Sequence, residues 1–319
     1  MKRYGNLYDK IISMDNLVLA EKHARKGKTR SHGVKLFDRD PKGKLEALRK
    51  MLADGTFQTS PYSTFKVYEP KERVIYRLPY YPDRIVHHAV MNVTGDIWTK
   101  VFTNDQYSCI KGRGIHLCAD RIKKALKEDP EGTKYCLQTD IVKFYPSINH
   151  ERLKAIIRKK IKDARLLALL DGIIDSTDGV PIGNYLSQYF ANLYIAYMLH
   201  EIKECGEFKG VRIYDYADDI IALAPDKEIL HRLRRFINDR YNGLNLRMKH
   251  TYQVFPINAR GLDFIGYRFF HGHTLLRKTL KRRMAKAFRK KNRNRHAIDS
   301  YRGWAKHCDS INLLNKIAI

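Results

Sequence analysis

Hydrophobic and polar positions follow two periods along this chain. Apolar residues recur at three- to four-residue steps over residues 7–28, which predicts a helix, and a shorter helix is predicted over 45–52. Further helices are predicted over 115–128, 149–171, 184–204 and 226–241. Residues 65–79 instead have the β-prone composition and central turn residues of a hairpin. The pattern therefore predicts a mixed structure of helices and short antiparallel strands.

A second hairpin is predicted around the Tyr-Ala-Asp-Asp sequence at 216–219. Apolar β-type runs lie on both sides, at 211–214 and 220–224, with almost nothing between them. Two adjacent carboxylates at a tight turn repel each other and lose hydration, so they usually need a compensating charge, and a divalent metal is the obvious one. Asp is also common in turns because its side chain hydrogen-bonds to the backbone, which leaves an ordinary turn as the alternative.

A further carboxylate, Asp140, ends a short β-prone segment at 134–139, far from the hairpin in sequence. A strand that ends at Asp140 beside a hairpin tipped by Asp218 and Asp219 would bring three carboxylates together. Three carboxylates can hold two Mg²⁺ ions a few Å apart, which activate an attacking 3′-hydroxyl and stabilise the leaving pyrophosphate of an in-line displacement. The three positions therefore predict polymerase chemistry, with two Mg²⁺ ions as the expected cofactor and Mn²⁺ as a substitute.

The charge of the chain points to a polyanionic partner. Its formal net charge is +27 over 319 residues, and self-repulsion on that scale destabilises a compact state unless a polyanion compensates it. Nucleic acid is the expected partner, and an anionic membrane surface is the main alternative. No apolar run is long enough to span a bilayer, and the residues from Met1 do not resemble a signal peptide. The five cysteines are widely spaced and form no C-x-x-C pair, so neither zinc nor disulfides are expected and a reducing cytosol fits best.

The tail of the chain is strongly basic. Residues 277–295 contain eleven Lys or Arg and no acidic residue. One apolar stripe is predicted along this helix, at Leu276, Leu280, Met284 and Phe288. The helix is expected to contact the phosphates of the primer or template, with a solvated helix face as the alternative. The candidate contacts are Arg282, Arg283, Arg289 and Lys290.

Taken in order, four motifs resemble those of reverse transcriptases over roughly residues 65–270. They are Lys71-Glu72-Arg73 followed by Asp83-Arg84-Ile85-Val86, the segment 139–145 around Asp140, the Tyr-Ala-Asp-Asp box, and Phe264-Ile265-Gly266-Tyr267. The resemblance implies an α+β, right-hand polymerase fold with fingers, an antiparallel palm sheet flanked by helices and a small helical thumb. It also implies RNA-directed DNA polymerase activity. The expected domains are an N-terminal helical extension (1–60), the fingers and palm (61–268) and a basic helical thumb (269–319).

The resemblance also implies roles for individual residues of the palm. Asp140 and Asp218 would bridge both metals, and Asp219 would support the metal at the 3′-hydroxyl. The backbone carbonyl of Ile141 would help to hold the metal on the nucleotide side. Tyr145 would be the steric gate that excludes a ribonucleotide 2′-hydroxyl, with a core aromatic residue as the alternative.

Other implied roles concern the nucleotide and the primer. Lys71 and Arg73 would grip the triphosphate, where Arg offers a bidentate fork. Gly266 and Tyr267 would lie at the turn before the primer-contacting loop.

Two adjacent residues are alternative candidates for the group that protonates the pyrophosphate. Relatives use a Lys that follows a Gly-Leu-x-Leu segment, which resembles residues 243–246 of this chain. Lys249 and His250 both compete for that role, and their spacing slightly favours His250.

One further sequence motif indicates a particular subfamily of reverse transcriptases. Most reverse transcriptases carry Q-G-x-x-x-S-P, whereas residues 182–188 read I-G-x-x-x-S-Q, which resembles the reverse transcriptases of diversity-generating retroelements. Those enzymes copy a template RNA with errors concentrated at adenines, and the cDNA diversifies a target gene. Ile182 can only pack where Gln could hydrogen-bond near the nascent base pair, a loss on the order of 1 kcal/mol of discrimination. Gly183 and Gln188 are the other nucleotide-binding candidates in this motif. Neutral drift is the alternative explanation for the departures at Ile182 and Gln188.

The expected partners are template RNA, cDNA, deoxynucleoside triphosphates and a small basic accessory protein, with no membrane, for a cytoplasmic enzyme encoded by a bacterium or phage. A group II intron-like or retron reverse transcriptase is the alternative within the family. Outside it stand a non-catalytic RNA-binding protein on a polymerase-like fold and an RNA-templated RNA polymerase. The intact Asp140, Asp218 and Asp219 argue against the first, and Tyr145 argues against the second.

Overall fold

The computed structural model describes residues 2–68, 72–289 and 294–317. Lys71 and Lys290, which were named above as site residues, lie outside these ranges. The chain forms two compact units, each assembled from separate stretches of sequence. The first unit comprises Met1–Thr103, Val142–His200 and Asn242–Leu246, and the second comprises Asn104–Ile141, Glu201–Tyr241 and Arg247–Ile319.

Helices and strands alternate along the described chain. The helices are α1 (Tyr8–Ile11), α2 (Met14–Arg25), α3 (His32–Phe37), α4 (Pro41–Ala53), α5 (Ile85–Thr99), α6 (Ile115–Glu128), α7 (Phe144–Ser147), α8 (His150–Arg158), α9 (Ala164–Ile174), α10 (Tyr185–Glu204), α11 (Lys227–Gly243), α12 (Ile257–Arg260), α13 (Lys278–Arg289), α14 (Arg295–Ala305) and α15 (Ile311–Ile317). The strands are β1 (Ser63–Tyr68), β2 (Glu72–Arg77), β3 (Tyr135–Asp140), β4 (Arg212–Tyr216), β5 (Asp219–Ala224), β6 (Gln253–Pro256), β7 (Leu262–Phe264), β8 (Tyr267–Phe269) and β9 (Thr274–Leu276). All strand pairs within the named sheets are antiparallel, and the expected α+β class is confirmed.

Two predicted helices of the first unit are each divided in two. The expected helix at 7–28 is α1 and α2, because the Ser13 side chain accepts a hydrogen bond from the Asn16 amide at 3.3 Å and starts a new helix. The expected helix at 149–171 is wrong for a similar reason. It is α8 and α9, since the Asp163 carboxylate caps α9 through the Leu166 amide and also accepts the Leu7 amide at 2.6 Å.

The hairpin predicted at 65–79 is confirmed as β1 and β2, which pair antiparallel with Phe65 opposite Ile75. Helix α5 is largely buried, with Ile85, Val86 and Ala89 fully enclosed. Helix α2 packs against α5.

The second unit is built on a four-stranded sheet in the order β4-β5-β3-β6, with a three-stranded sheet β7-β8-β9 further along the chain. The predicted hairpin around 216–219 is confirmed as β4 and β5. One hydrophobic core runs from α6 and the larger sheet through β7–β9 to α13, α14 and α15. It includes Met284 and Phe288 of α13, and Leu280 packs against it, which confirms these positions of the predicted apolar stripe. Leu276 is also buried in this core but lies on β9, because the helix begins only at Lys278.

The helices of the described ranges include none with the length and apolar character needed to cross a membrane.

Candidate active site

The three predicted carboxylates lie together at one edge of the larger sheet in the second unit. Strand β3 ends at Asp140, β5 begins at Asp219, and the two residues are direct partners in the antiparallel register. Asp218 lies in the tight turn just before β5, where its carbonyl accepts the Ile141 amide at 3.2 Å. The neighbouring Ala217 has φ of +62°, a left-handed conformation that is uncommon for a residue with a side chain. The register thus brings Asp140, Ile141, Asp218 and Asp219 to one place from two distant segments.

The charges at this edge are incompletely balanced. Burial and the negative charges of Asp218 and Asp140 raise the pKa of Asp219 to about 6, against the opposing charges of Lys249 and Arg277. A pKa raised by neighbouring carboxylates indicates a place where an added cation is stabilised.

Lys249 supplies part of the missing positive charge. Its ammonium group forms an ion pair with Oδ2 of Asp140, and its backbone amide donates to the Asp140 carbonyl at 2.9 Å. The other carboxylate oxygen of Asp140, Oδ1, is buried and has no hydrogen-bond partner in the described ranges. His250 is exposed and forms no hydrogen bond or ion pair with the described residues. The structure therefore places Lys249, and not its neighbour, at the carboxylates.

The chemistry of these donors suits a divalent metal. Carboxylate oxygens are the ligands that Mg²⁺ prefers, and the orphaned Oδ1 of Asp140 is an acceptor without a donor. Among the described residues, no three His, Cys, Asp or Glu side chains converge closely enough to hold an ion as they stand. The ion pair of Lys249 with Asp140 engages one of the carboxylate oxygens that a metal would take.

Asp215, on β4, is a further carboxyl group of the β4–β5 hairpin and is fully buried. Burial raises the pKa of Asp215 well above its ordinary value, and the charges of Asp218 and Asp219 add to this shift. Its backbone is held on both sides, since its amide donates to Asp105 at 2.8 Å and its carbonyl accepts from Tyr107 at 3.0 Å. The raised pKa favours the protonated form of Asp215, which carries no negative charge.

The candidate nucleotide-binding residues belong to the first unit, whereas the carboxylates belong to the second. Arg73 is exposed on β2, and Tyr145 lies in the short helix α7. Ile182 and Gly183 precede α10, and Gln188 lies in its first turn.

The segment that precedes α10 joins two of these elements. The Val180 amide donates to the Tyr145 carbonyl at 2.9 Å, and the Tyr76 amide of β2 donates to the Ile182 carbonyl at 2.8 Å. Gly183 has φ of +119°, and a Cβ atom there would lie 2.6 Å from the Tyr76 carbonyl oxygen. Only glycine therefore fits where the segment crosses β2.

Comparison with known proteins decides the family. The sequence model of the family described as "Reverse transcriptase (RNA-dependent DNA polymerase)" matches residues 69–269, more than half of the chain. The chain belongs to the reverse transcriptase family. This confirms the family-level prediction made from the four motifs.

Two curated relatives of this reverse transcriptase are "Protein YkfC" of Escherichia coli (strain K12), 28% identical over 188 residues, and "Group II intron-encoded protein LtrA" of Lactococcus lactis subsp. cremoris, 24% identical over 172 residues. The matches cover 53% and 50% of this chain. They span 49% of YkfC and 27% of LtrA, so the chain corresponds to about half or less of either relative.

The fold is also that of solved reverse transcriptases. The Candida tropicalis telomerase in complex with a fragment of telomeric RNA has a TM-score of 0.52 at 12% identity, over 85% of this chain and 58% of the telomerase. The apo telomerase of the same organism has a TM-score of 0.51 at 14% identity, over 67% of this chain and 48% of the telomerase. At these identities the likeness concerns the fold alone.

The primer-side candidates of this reverse transcriptase differ in exposure. Tyr267 is fully buried, and its hydroxyl donates to the Trp304 carbonyl at 3.1 Å. Gly266 has φ of +89°, and a Cβ atom there would lie 2.5 Å from the Trp304 ring. Both residues therefore hold α14 against the β7–β8 turn, and the Tyr267 ring is not presented to a primer. By contrast, Arg282, Arg283 and Arg289 are all exposed on α13.

A basic cleft in the first unit was not predicted from the sequence. It has a volume of about 970 Å³, and the described residues that line it include Lys28, Arg39, Lys44, Arg77 and Arg84 but no Asp or Glu. The positive charge of Arg84, then burial and Arg77, lower the pKa of Lys28, and burial lowers the pKa of Arg84. Six aromatic rings also line the cleft: Phe37, Phe65, Tyr76, Tyr80, Tyr81 and Tyr185. The basic stretch at 22–30 was the sequence signal for it, although nothing local indicated its partners across the cleft.

Proposed function

We propose that this reverse transcriptase adds deoxynucleotides to a primer 3′-hydroxyl on an RNA template and releases pyrophosphate. The observation that carries the proposal is the register that sets Asp140 beside Asp219 and the Asp218 turn, within a chain of this family. When bound, Mg²⁺ at these carboxylates would lower the pKa of the primer hydroxyl and neutralise charge on the leaving group.

The residues of the chain have complementary tasks in this proposal. Asp140 and Asp218 would hold a metal through their carboxylates, and Asp219, whose pKa burial and its negative neighbours raise to about 6, would gain most from the added positive charge. A metal held at Oδ2 of Asp140 would take the place of the Lys249 ammonium group. We therefore assign proton donation to the pyrophosphate to Lys249, because it already lies at the carboxylates, in preference to His250.

The test is primer extension on an RNA template with Mg²⁺ and deoxynucleotides. Asp218→Asn should reduce incorporation by more than about a hundredfold while RNA binding and thermal unfolding stay close to wild type, because the reaction needs the charge and not the shape. Asp239→Asn is the matched control, since it makes the same change at an exposed position of α11 in the same unit. An Asp218→Asn enzyme within about tenfold of wild type would overturn the assignment.

The finer proposal is that the enzyme makes error-prone cDNA, with errors concentrated at template adenines, for the diversification of a target gene. It rests on Ile182 and Gln188, which depart from the usual box of the family. Ile182 is half-buried, and its carbonyl is bound to Tyr76, so an apolar side chain is held at a fixed position beside the hairpin. In this proposal a small basic accessory protein and a dedicated template RNA are the partners.

A group II intron-like function is the second candidate, favoured by the similarity to LtrA, a group II intron-encoded protein. The two candidates predict different products. A retroelement enzyme should leave most of its errors opposite adenine, whereas an intron-like enzyme has no reason to favour one template base. Sequencing of cDNA made from one mixed template separates them.

A further inference from the structure

His150, the first residue of α8, faces two acceptors with its two ring nitrogens. Nε2 lies 2.8 Å from the Gly179 carbonyl oxygen, and Nδ1 lies 3.1 Å from Oδ1 of Asp175. A carbonyl oxygen and an ionised carboxylate can only accept, so the imidazole must donate from both nitrogens to satisfy both. His150 therefore bridges α8 and the segment that follows α9 through its two ring nitrogens.

Asp175 also forms an ion pair with a lysine of α8. Lys154, one turn further along α8, lies 2.7 Å from Oδ2 of Asp175 and 3.0 Å from Glu151. Burial opposes ionisation of Asp175, but the hydrogen bonds and charges of Lys154 and His150 outweigh it and hold the pKa of Asp175 below its ordinary value. The side chains of His150 and Lys154 are 22% and 14% exposed, whereas the Asp175 carboxylate is 48% exposed.

The tethered segment, residues 175–183, is fastened to the turn that carries Tyr145. The Val180 amide donates to the Tyr145 carbonyl at 2.9 Å. Gly179 has φ of +60°, and a Cβ atom there would lie 2.5 Å from the Pro146 carbonyl oxygen. The segment thus lies directly on the backbone of α7, and small movements of Gly179 must displace that backbone.

The other end of the same segment is fastened to β2 through the bond from the Tyr76 amide to the Ile182 carbonyl. A single stretch of nine residues therefore connects the backbone of Tyr145 to the hairpin that carries Arg73. His150 contacts this stretch at Asp175 and at Gly179, which immediately precedes the residue bound to Tyr145.

We propose that His150 is a positioning residue for sugar selection. It holds segment 175–183 in place and, through the Val180–Tyr145 bond, keeps Tyr145 where it can exclude a 2′-hydroxyl. His150 takes no part in the chemistry. The proposal rests on the polymerase function proposed above and on Tyr145 as the gate.

The decisive measurement is the ratio of kcat/KM for a deoxynucleotide to that for the matching ribonucleotide. His150→Ala should lower this ratio about fivefold, chiefly by lowering KM for the ribonucleotide, because one or two hydrogen bonds to the segment are lost. His150→Gln should recover part of the ratio, since its amide can donate to Gly179 but carries no charge for Asp175. Gly179→Ala should lower the ratio while His150 remains in place.

His200→Ala is the matched control. His200 lies in the same unit, and its Nε2 makes the same kind of bond, 2.8 Å long, to the Val101 carbonyl. The ratio should be unchanged in this variant. If His200→Ala lowered the ratio as much as His150→Ala does, the effect would be one of general destabilisation, and the proposal would be overturned.

Hydrogen exchange supplies a readout that does not require catalysis. The Val180 amide should exchange faster in His150→Ala than in wild type or His200→Ala, because its bond to Tyr145 opens more often. Unchanged exchange, or faster exchange with an unchanged sugar ratio, would each overturn the proposal. A wild-type protein without polymerase activity would refute the proposed function itself, and with it the role assigned to His150.

Discussion

Asp219→Asn is expected to make the metal-free protein more stable at neutral pH, although it removes a carboxylate that we place in the active site. Burial, followed by the negative charges of Asp218 and Asp140, raises the pKa of Asp219 from 3.8 to about 6. A shift of about 2 units corresponds to on the order of 3 kcal/mol against the ionised form in the folded state. The turn borders solvent, so we expect an uncharged amide to recover about half of that, or ~1–2 kcal/mol.

The pH dependence follows from the direction of the shift. A carboxyl group whose pKa is higher in the folded than in the unfolded chain holds its proton more tightly when folded, so only its ionised form penalises folding. The penalty from Asp219 is absent below about pH 4, grows as the pH rises, and is fully present above about pH 6. The advantage of Asp219→Asn should therefore be largest above pH 6 and disappear near pH 4. Mg²⁺ should stabilise wild type more than the variant, because it neutralises the same charge.

Thermal unfolding with EDTA, measured near pH 4.5 and pH 7.5, tests this reasoning. A gain of ~1–2 kcal/mol raises the midpoint by a few degrees in a protein of this size. Asp239→Asn again serves as control, because that residue is exposed on α11. An Asp219→Asn protein no more stable than Asp239→Asn at the higher pH would refute the account of strained charge at the turn.

Three further outcomes are expected. Tyr145→Ala should admit ribonucleotides, seen as a lower ratio of deoxy- to ribonucleotide incorporation, and an unchanged ratio would show that another group forms the gate. Neutralising Arg282, Arg283 and Arg289 should reduce the slope of log K against log salt for RNA binding by roughly 0.7–0.9 per lost phosphate contact, and a constant slope would mean that α13 faces solvent or a protein. Lys28→Gln with Arg77→Gln should weaken RNA binding without loss of thermal stability, because both cations lie in a cleft lined by no acidic residue of the described ranges, and equal binding would exclude the cleft from the RNA path. The control for both charge changes is the removal of exposed charges from α4, at Lys42, Arg49 and Lys50.

The hairpin with Asp218 and Asp219, and the carboxylate of Asp140, could be predicted because their sequence signals are local. Two apolar runs flanking a short acidic turn allow few other structures, and alternation along a strand determines which residues share a face. Asp140 joined them through the β-prone segment that it ends. To predict that Asp140 lies opposite Asp219, it was enough to assume that the end of β3 and the start of β5 lie at the same edge of the sheet.

The break between α8 and α9 shows where periodicity fails. Apolar positions continue on both sides of residues 159–163, so spacing alone predicts one helix over 149–171. Asp163 ends that continuity because its carboxylate caps α9 and also binds the backbone of Leu7, more than 150 residues away. A contact of that range leaves no local trace in the sequence.

The choice between Lys249 and His250, for which spacing slightly favours His250, depends on the register of this segment. The backbone bridge between Ile141 and Met248 fixes the phase of this segment, and a shift of one residue exchanges the side that each side chain faces. Lys249 is thereby set at Asp140, and His250 is exposed. Tyr267 also depends on a distant contact. Its motif indicated a primer contact, but Tyr267 is buried and its hydroxyl is bound to Trp304 of α14.

Ile182→Gln is the sharpest test of the mutagenic subfamily. The Ile182 carbonyl is bound to the Tyr76 amide, so a change of side chain leaves this backbone tether intact. A Gln side chain restores a polar group whose contact, on the order of 1 kcal/mol, would penalise a badly placed template base about fivefold. Misincorporation opposite template adenine should fall more than misincorporation opposite other bases.

The companion change Gln188→Pro needs separate treatment. Helix α10 begins at Tyr185, so Pro at 188 removes an amide where the helical hydrogen bonds begin and can destabilise the first turn by up to ~3 kcal/mol. The double variant therefore enters the experiment only if its thermal unfolding matches that of Ile182→Gln. Where it does, the stiffer backbone should lower the adenine error rate further.

Ile182→Leu is the control, because it keeps an apolar side chain of equal size at the same position. Sequencing cDNA made by the three enzymes from one template gives the error rate opposite each base. If Ile182→Gln and Ile182→Leu leave the same adenine error rate as wild type, position 182 does not set mutagenesis, and the template RNA or an accessory protein must do so. Since the carboxylates lie in another part of the chain and are unchanged in all three enzymes, that result would leave the polymerase assignment untouched.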